Sequence, residues 1–304
     1  MDGLLNIYKE RGFTSHDVVA KLRGILKQKK IGHTGTLDPD AEGVLPVCLG
    51  KATKVCDLLT DKDKTYRAVL LLGKETDTQD ISGQVLEEMP VETDAEEVRQ
   101  AVMSFCGSYE QIPPMYSALK VGGKKLYELA RQGKEVERAS RTVTIHEIVI
   151  EKIELPRITM TVTCSKGTYI RTLCHDIGKK LGCGGCMESL VRTRVADFKI
   201  EEAYTLGQIE KLRDEGKLET VLTAVDTLFC QYPAYEAKKG TEKLLYNGNP
   251  MAPSEILLSD GQEKGSCDGP IRLYDSGGRF MGIYSYDEKI RRYRPVKLFY
   301  ARED

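Results

Sequence analysis

Hydrophobic positions fall at helical spacing soon after the N-terminus. Val18, Val19, Leu22, Ile25 and Leu26 form one stripe behind the capping residues Thr14 and Ser15, and the stripe ends at the basic "KQKK". A stretch with neither helical nor strand period follows, "GHTGTLDPDAEG" at 32 to 43. "YRAVLLLG" (66 to 73) then predicts a buried strand, and Thr93 with Glu96 predicts a capping box for a helix carrying Val98, Val102 and Phe105. "TVTIHEIVI" and "ITMTVTC" alternate strictly, with Ile158, Met160, Val162 and Cys164 on one face and threonines on the other. They predict adjacent, half-buried antiparallel strands.

After "SKG" the helical period returns, with Ile170, Leu173, Cys174, Ile177 and Leu181 on one stripe and Arg171 in the first turn. A cation there opposes the helix dipole, which points to a specific anionic partner. From about Tyr232 the pattern changes to short strand-like runs, "IRLYD" and "FMGIYSY", separated by the turn signals "NGNP", "SDGQEKGSCDG" and "DSGGRF". The organisation predicted is a mixed α and β region over 1–235, then a small β domain over 236–304.

Composition narrows the class. With 304 residues, 40% of them hydrophobic, the chain can bury a real core. No apolar run approaches the roughly 20 residues of a membrane span, and the start "MDGLLNIYKERG" does not resemble a signal peptide, so the expected location is cytoplasmic. Nine irregularly spaced Cys predict reduced, mostly buried thiols. A net charge of -1 conceals strong local asymmetry: seven Lys or Arg against three Glu lie between Lys120 and Arg141, and six basic residues with no acid lie between Lys289 and Arg302. Either run fits phosphates or a solvated face.

Two chemistries fail on spacing. "GKAT" at 50 to 53 is not a phosphate loop, because Leu45 and Ala52 stand where Gly and Ser or Thr are required. Cys174, His175, Cys183 and Cys186 do not predict zinc, since adjacent Cys and His on a helix point in different directions. A third constellation survives: Asp38 in the aperiodic loop, Tyr66 and Arg171 could surround a planar ligand, with the ring stacking and the carboxylate attacking or taking a proton. The residues alone leave a structural role for Asp38 open.

Four blocks, "GHTGTLDPDAEGVLPVCLGKATK", "KTYRAVLLLGKETDTQDISG", "QIPPMYSALKVGGKKLYELARQG" and "CSKGTYIRTLCHDIGKKLGCGG", resemble in order and spacing the TruB family of tRNA pseudouridine-55 synthases. The resemblance implies an α+β fold, with a mixed, largely antiparallel sheet flanked by helices and a PUA-like RNA-binding domain at the C-terminus. It implies that Asp38 is the catalytic aspartate, Tyr66 the stacking tyrosine and Arg171 the active-site arginine. Arg171 is expected to lower the pKa of Asp38 and keep it ionised. His33 corresponds to the residue that enters the T-loop, Leu190 to an apolar residue near the base, and Lys54 to a supporting lysine near the site. Residues 111–141 become a thumb-like segment whose Lys120, Lys124, Lys125 and Arg131 meet phosphates.

The reaction so implied turns uridine-55 of the tRNA T-loop into pseudouridine after base flipping, with no cofactor, no metal, no obligatory protein partner, and a monomeric enzyme. Two other readings are a non-catalytic tRNA-binding or folding chaperone on the same fold and a guide-RNA-dependent relative. The chain departs from the family pattern at Glu10, where Pro is common, and at Val191 and Ala196.

Overall fold

The computed structural model describes residues 1–258 and 269–300. The turn signal at 259 to 269 and the end of the basic run, at Arg302, therefore lie almost wholly outside the described residues.

Strand β1 (Gly3–Lys9) leads into α1 (Ser15–Leu26), capped by Thr14 as expected, within a capping box that Asp17 completes: the Thr14 hydroxyl accepts from Asp17 N at 3.1 Å and the Asp17 carboxylate accepts from Thr14 N at 2.8 Å. Its stripe packs Val18, Val19 and Leu22 against Leu5, Ile7 and Val47. Next come β2 (Ile31–His33), β3 (Glu42–Leu49), the short α2 (Cys56–Thr60) and β4 (Lys64–Leu72). A small hairpin, β5 (Lys74–Thr76) and β6 (Val85–Glu88), precedes α3 (Ala95–Met103).

The α3 cap lies one residue later than expected. Asp94 accepts from the backbone N–H groups of Glu96 and Glu97, both at 2.9 Å, and Glu97 reciprocates. A carboxylate is the stronger acceptor at an N-cap, so Asp94 displaces Thr93, whose hydroxyl donates to Glu97 instead at 2.8 Å.

After β7 (Gly107–Gln111) the thumb-like segment carries the hairpin β8 (Lys120–Val121) and β9 (Lys124–Lys125) and one turn of helix, α4 (Leu126–Ala130). The long strands β10 (Arg141–Glu154) and β11 (Arg157–Cys164) pair antiparallel as predicted, with Ile158, Met160, Val162 and Cys164 fully buried. Helix α5 (Ile170–Leu181), β12 (Gly185–Val195), β13 (Phe198–Lys199) and α6 (Leu206–Asp214) complete this part. The sheet runs β1-β3-β12-β4-β11-β10-β7, with β12 parallel to β3 and its other pairings antiparallel. Its centre, β3-β12-β4, is where three chain segments distant in sequence meet.

Beyond it, β14 (Ala234–Ala237), α7 (Glu242–Tyr246), β15 (Ile256–Leu258), β16 (Ile271–Tyr274), β17 (Phe280–Asp287) and β18 (Arg292–Leu298) form a second, five-stranded sheet with its own core around Leu273, Met281 and Tyr284. Ile283 and Phe299 belong instead to a cluster with Leu4, Val55 and Phe229, so the two sheets share buried apolar surface.

Candidate active site

The loop between β2 and β3 is held from beneath by side chains that satisfy its backbone. Lys9, wholly buried at the end of β1, donates to the carbonyls of Ala41 at 2.6 Å and Pro39 at 3.1 Å. Ser15 accepts from Leu37 N at 2.9 Å, Thr60 donates to Thr34 O at 2.9 Å, and Arg192 donates to Gly35 O at 3.2 Å and to Val44 O at 2.8 Å. Gly43, at φ 106°, closes the loop where only glycine fits, because a Cβ there would stand 2.2 Å from the Arg192 carbonyl oxygen. Buried backbone polar groups left unpaired are costly, so these bonds make one loop conformation strongly preferred.

From this loop Asp38 meets Arg171, with Nε 3.0 Å from Oδ2. The Arg171 side chain is only 5% exposed, and its remaining donors reach Thr78 O at 3.0 Å and Tyr116 O at 2.8 Å, with Asp80 Oδ2 at 3.8 Å. Every arm of the guanidinium is thus occupied, which fixes its direction. The anionic partner expected of a cation in the first turn of α5 is Asp38.

Asp38 keeps 42% of its side chain accessible, so the carboxylate is braced on one side and open on the other. Its surrounding wall of protein nevertheless pushes its pKa above the ordinary value, with Arg171 opposing and Asp80 adding to the rise. This corrects the expectation from sequence: Arg171 does favour the ionised form, but enclosure outweighs it.

Tyr66, on β4, is 8% exposed and shares an apolar cluster with Leu37, Ile170 and Leu190. Asp38, Tyr66, Arg171 and Leu190 are therefore brought to one place. His33 ends β2, half-buried, with its Nδ1 accepting from Gly35 N at 3.3 Å and its ring 5.2 Å from that of His16. Burial, helped by His16 and Arg192, lowers its pKa to about 4, so the ring is neutral at neutral pH. Lys54 departs from expectation. Its ammonium is engaged 2.7 Å from Leu298 O in the C-terminal sheet, not with Asp38, Tyr66 or Arg171, because the turn before α2 faces that sheet.

In the thumb-like segment, Lys120, Lys124 and Arg131 are exposed, and Lys125 is half-buried against Tyr127. Arg131 lies 5.4 Å from the same ring, and Met115, Leu126 and Leu129 form a small core of their own. The segment touches the site through Tyr116, whose carbonyl holds Arg171 and whose hydroxyl lies 3.4 Å from Asp77.

Sequence reasoning missed three buried cations, Lys9, Lys64 and Arg192. Burial lowers Lys9 and Lys64 to about 8. A signal existed: at period two, Arg192 shares the inward face of β12 with Leu190, and Lys64 shares that of β4 with Tyr66. Asp80 was also missed. Cys174, Cys183 and Cys186 are buried, and burial raises all three thiols, Cys186 to about 11. Ala196, a departure from the family pattern, occupies a left-handed conformation at φ 49°, costing about 1–2 kcal/mol that glycine would not incur.

Comparison with known proteins gives matches at the level of the family and of the fold. Residues 23–170 match the model for the TruB family pseudouridylate synthase N-terminal domain, and residues 171–229 match that for the tRNA pseudouridylate synthase B C-terminal domain. The chain is 57% identical to tRNA pseudouridine synthase B of Lachnoclostridium phytofermentans over 98% of this chain and all of that one. It is 44% identical to the protein of that name from Clostridium kluyveri, again over 98% of this chain and 100% of the other. Among solved structures it resembles the Cbf5-Nop10-Gar1 complex, with TM-score 0.70 and 26% identity, covering 99% of this chain and 85% of that one.

Proposed function

Since the chain belongs to the TruB family of pseudouridylate synthases, we propose that it isomerises uridine-55 in the T-loop of tRNA to pseudouridine, with Asp38 as the reacting carboxylate. The observation that carries this reading is the half-open Asp38 carboxylate braced 3.0 Å from a buried, fully engaged Arg171 beside Tyr66 and Leu190.

The chemistry breaks the N1–C1′ bond, turns the uracil and forms the C5–C1′ bond; C5 loses its proton and N1 gains one, so the product is an isomer. No electron is gained or lost. Asp38 serves as nucleophile at C1′ or at C6, or as base for the 2′ proton, and each route needs it ionised at the start. The T-loop nucleotide must leave its stack to reach the carboxylate. Tyr66 and Leu190 supply the stacking and apolar walls for the flipped base, and His33, neutral and at the rim, fills the gap it leaves. Lys120, Lys124, Lys125 and Arg131 meet phosphates of the T-arm, and residues 236–304 act as a PUA-like RNA-binding domain on a catalytic domain of residues 1–235.

The enzyme works in the cytoplasm as a single chain, without a protein partner. Full-length identity to tRNA pseudouridine synthase B supports this over the ribonucleoprotein arrangement of the more distant Cbf5 complex. An intact Asp38, Tyr66 and Arg171 favours catalysis over a purely binding or chaperone role.

The decisive experiment is turnover of an unmodified T-arm stem-loop by the purified protein alone. Asp38→Asn is expected to abolish pseudouridine formation while RNA binding persists, and near-normal turnover by that variant would refute the reading.

A further inference from the structure

Arg192 is the largest fully buried side chain, at 1% exposure, and among the described residues no carboxylate lies within ion-pair distance of it. A buried cation without an acid is costly, so its retention needs a reason that packing alone does not provide. Its contacts supply one. Arg192 sits at the junction of three strands, opposite Gly43 on β3 and opposite Tyr66 on β4. Its Nε donates to Val44 O at 2.8 Å and one terminal nitrogen to Gly35 O at 3.2 Å. The other terminal nitrogen lies 3.6 Å from where a Cβ on Gly35 would stand. Tyr66, its register partner on β4, is the group that favours the charged form of Arg192 against burial.

One planar, donor-only group thus holds the loop three residues before Asp38 and the start of β3 together, at the strand position opposite Tyr66. We propose that Arg192 is a positioning residue for the isomerisation, holding the Gly35 end of the Asp38 loop against β3 in the reactive arrangement. The proposal rests on the catalytic reading above. It assigns Arg192 no contact with RNA, so its removal should act on the chemical step and not on affinity.

The single-turnover rate at saturating T-arm stem-loop, read together with the Kd for that RNA, tests it. Arg192→Gln is expected to slow the rate by about tenfold or more with Kd changed by less than about threefold. An unchanged rate, or a loss confined to Kd, would overturn the proposal. If Arg192→Gln does not fold, Arg192→Lys, which keeps the charge but not the fork, replaces it with the same criteria. Turnover by Asp38→Asn would sink the catalytic reading separately, leaving the two failures distinguishable.

Discussion

At 3.0 Å, Arg171 Nε is the nearest cation to the Asp38 carboxylate, yet enclosure still raises the acid's pKa. The two effects have opposite signs and can be separated by substitution. Arg171→Met removes the lowering influence and leaves enclosure and Asp80, so Asp38 should ionise only at still higher pH. The acid limb of the single-turnover pH profile is therefore expected to move upward, with the plateau rate falling by about 10²-fold as the carboxylate loses its brace. A limb that stays in place would mean that a group other than Asp38 sets it. Gly43 makes a similar point about backbone. Gly43 stands at φ 106° and an added Cβ would lie 2.2 Å from the Arg192 carbonyl oxygen, so Gly43→Ala should destabilise the protein by about 2 kcal/mol or more, seen as a lower melting temperature.

At the scale of elements, two segments differ in how they are held. The loop at 32 to 43 is secured by Lys9, Ser15, Thr60 and Arg192, side chains from four other parts of the chain, whereas the thumb-like segment rests on a small core of Met115, Leu126 and Leu129. The first suits a reacting group, and the second suits a surface that adapts to RNA. Lys120 and Lys124 lie exposed on the β8–β9 hairpin, so Lys120→Ala and Lys124→Ala should leave folding intact. Each is expected to reduce the salt slope of tRNA binding by roughly one unit for a lost phosphate contact. An unchanged slope for both would place the phosphates elsewhere.

Across the whole molecule, the rings of Phe229, Phe280 and Phe299 cluster between the two sheets, Phe280 stacked on Phe299, and Lys54 adds a hydrogen bond to Leu298 O. Deleting residues 236–304 would uncover this shared surface, so it is not a clean test of RNA contact. Phe299→Ala is expected to cost about 3 kcal/mol or more in unfolding experiments while single-turnover chemistry on bound stem-loop stays near normal. A large loss of the chemical step would instead show that the C-terminal sheet reaches into the site.

Much of the fold was legible because burial imposes a period. The α1 stripe, the β10–β11 pair and the change of pattern near 235 all follow from which face of a helix or strand meets the core. Capping chemistry was legible to within a residue, since Thr93 and Asp94 compete for the same N–H groups. The candidate site was legible through motif resemblance in Asp38, Tyr66 and Arg171. Period two puts Lys64 and Arg192 on inward faces, but what the chain alone could not reveal was what receives their charges and that of Lys9: the carbonyl of Ala41 for Lys9, of Lys62 for Lys64 and of Val44 for Arg192. The fate of Lys54 and the direction of the Asp38 pKa depended likewise on tertiary structure. Periodicity is a local consequence of burial, whereas a site is a meeting of distant segments, and the electrostatics of that meeting depend on distances that no local pattern encodes.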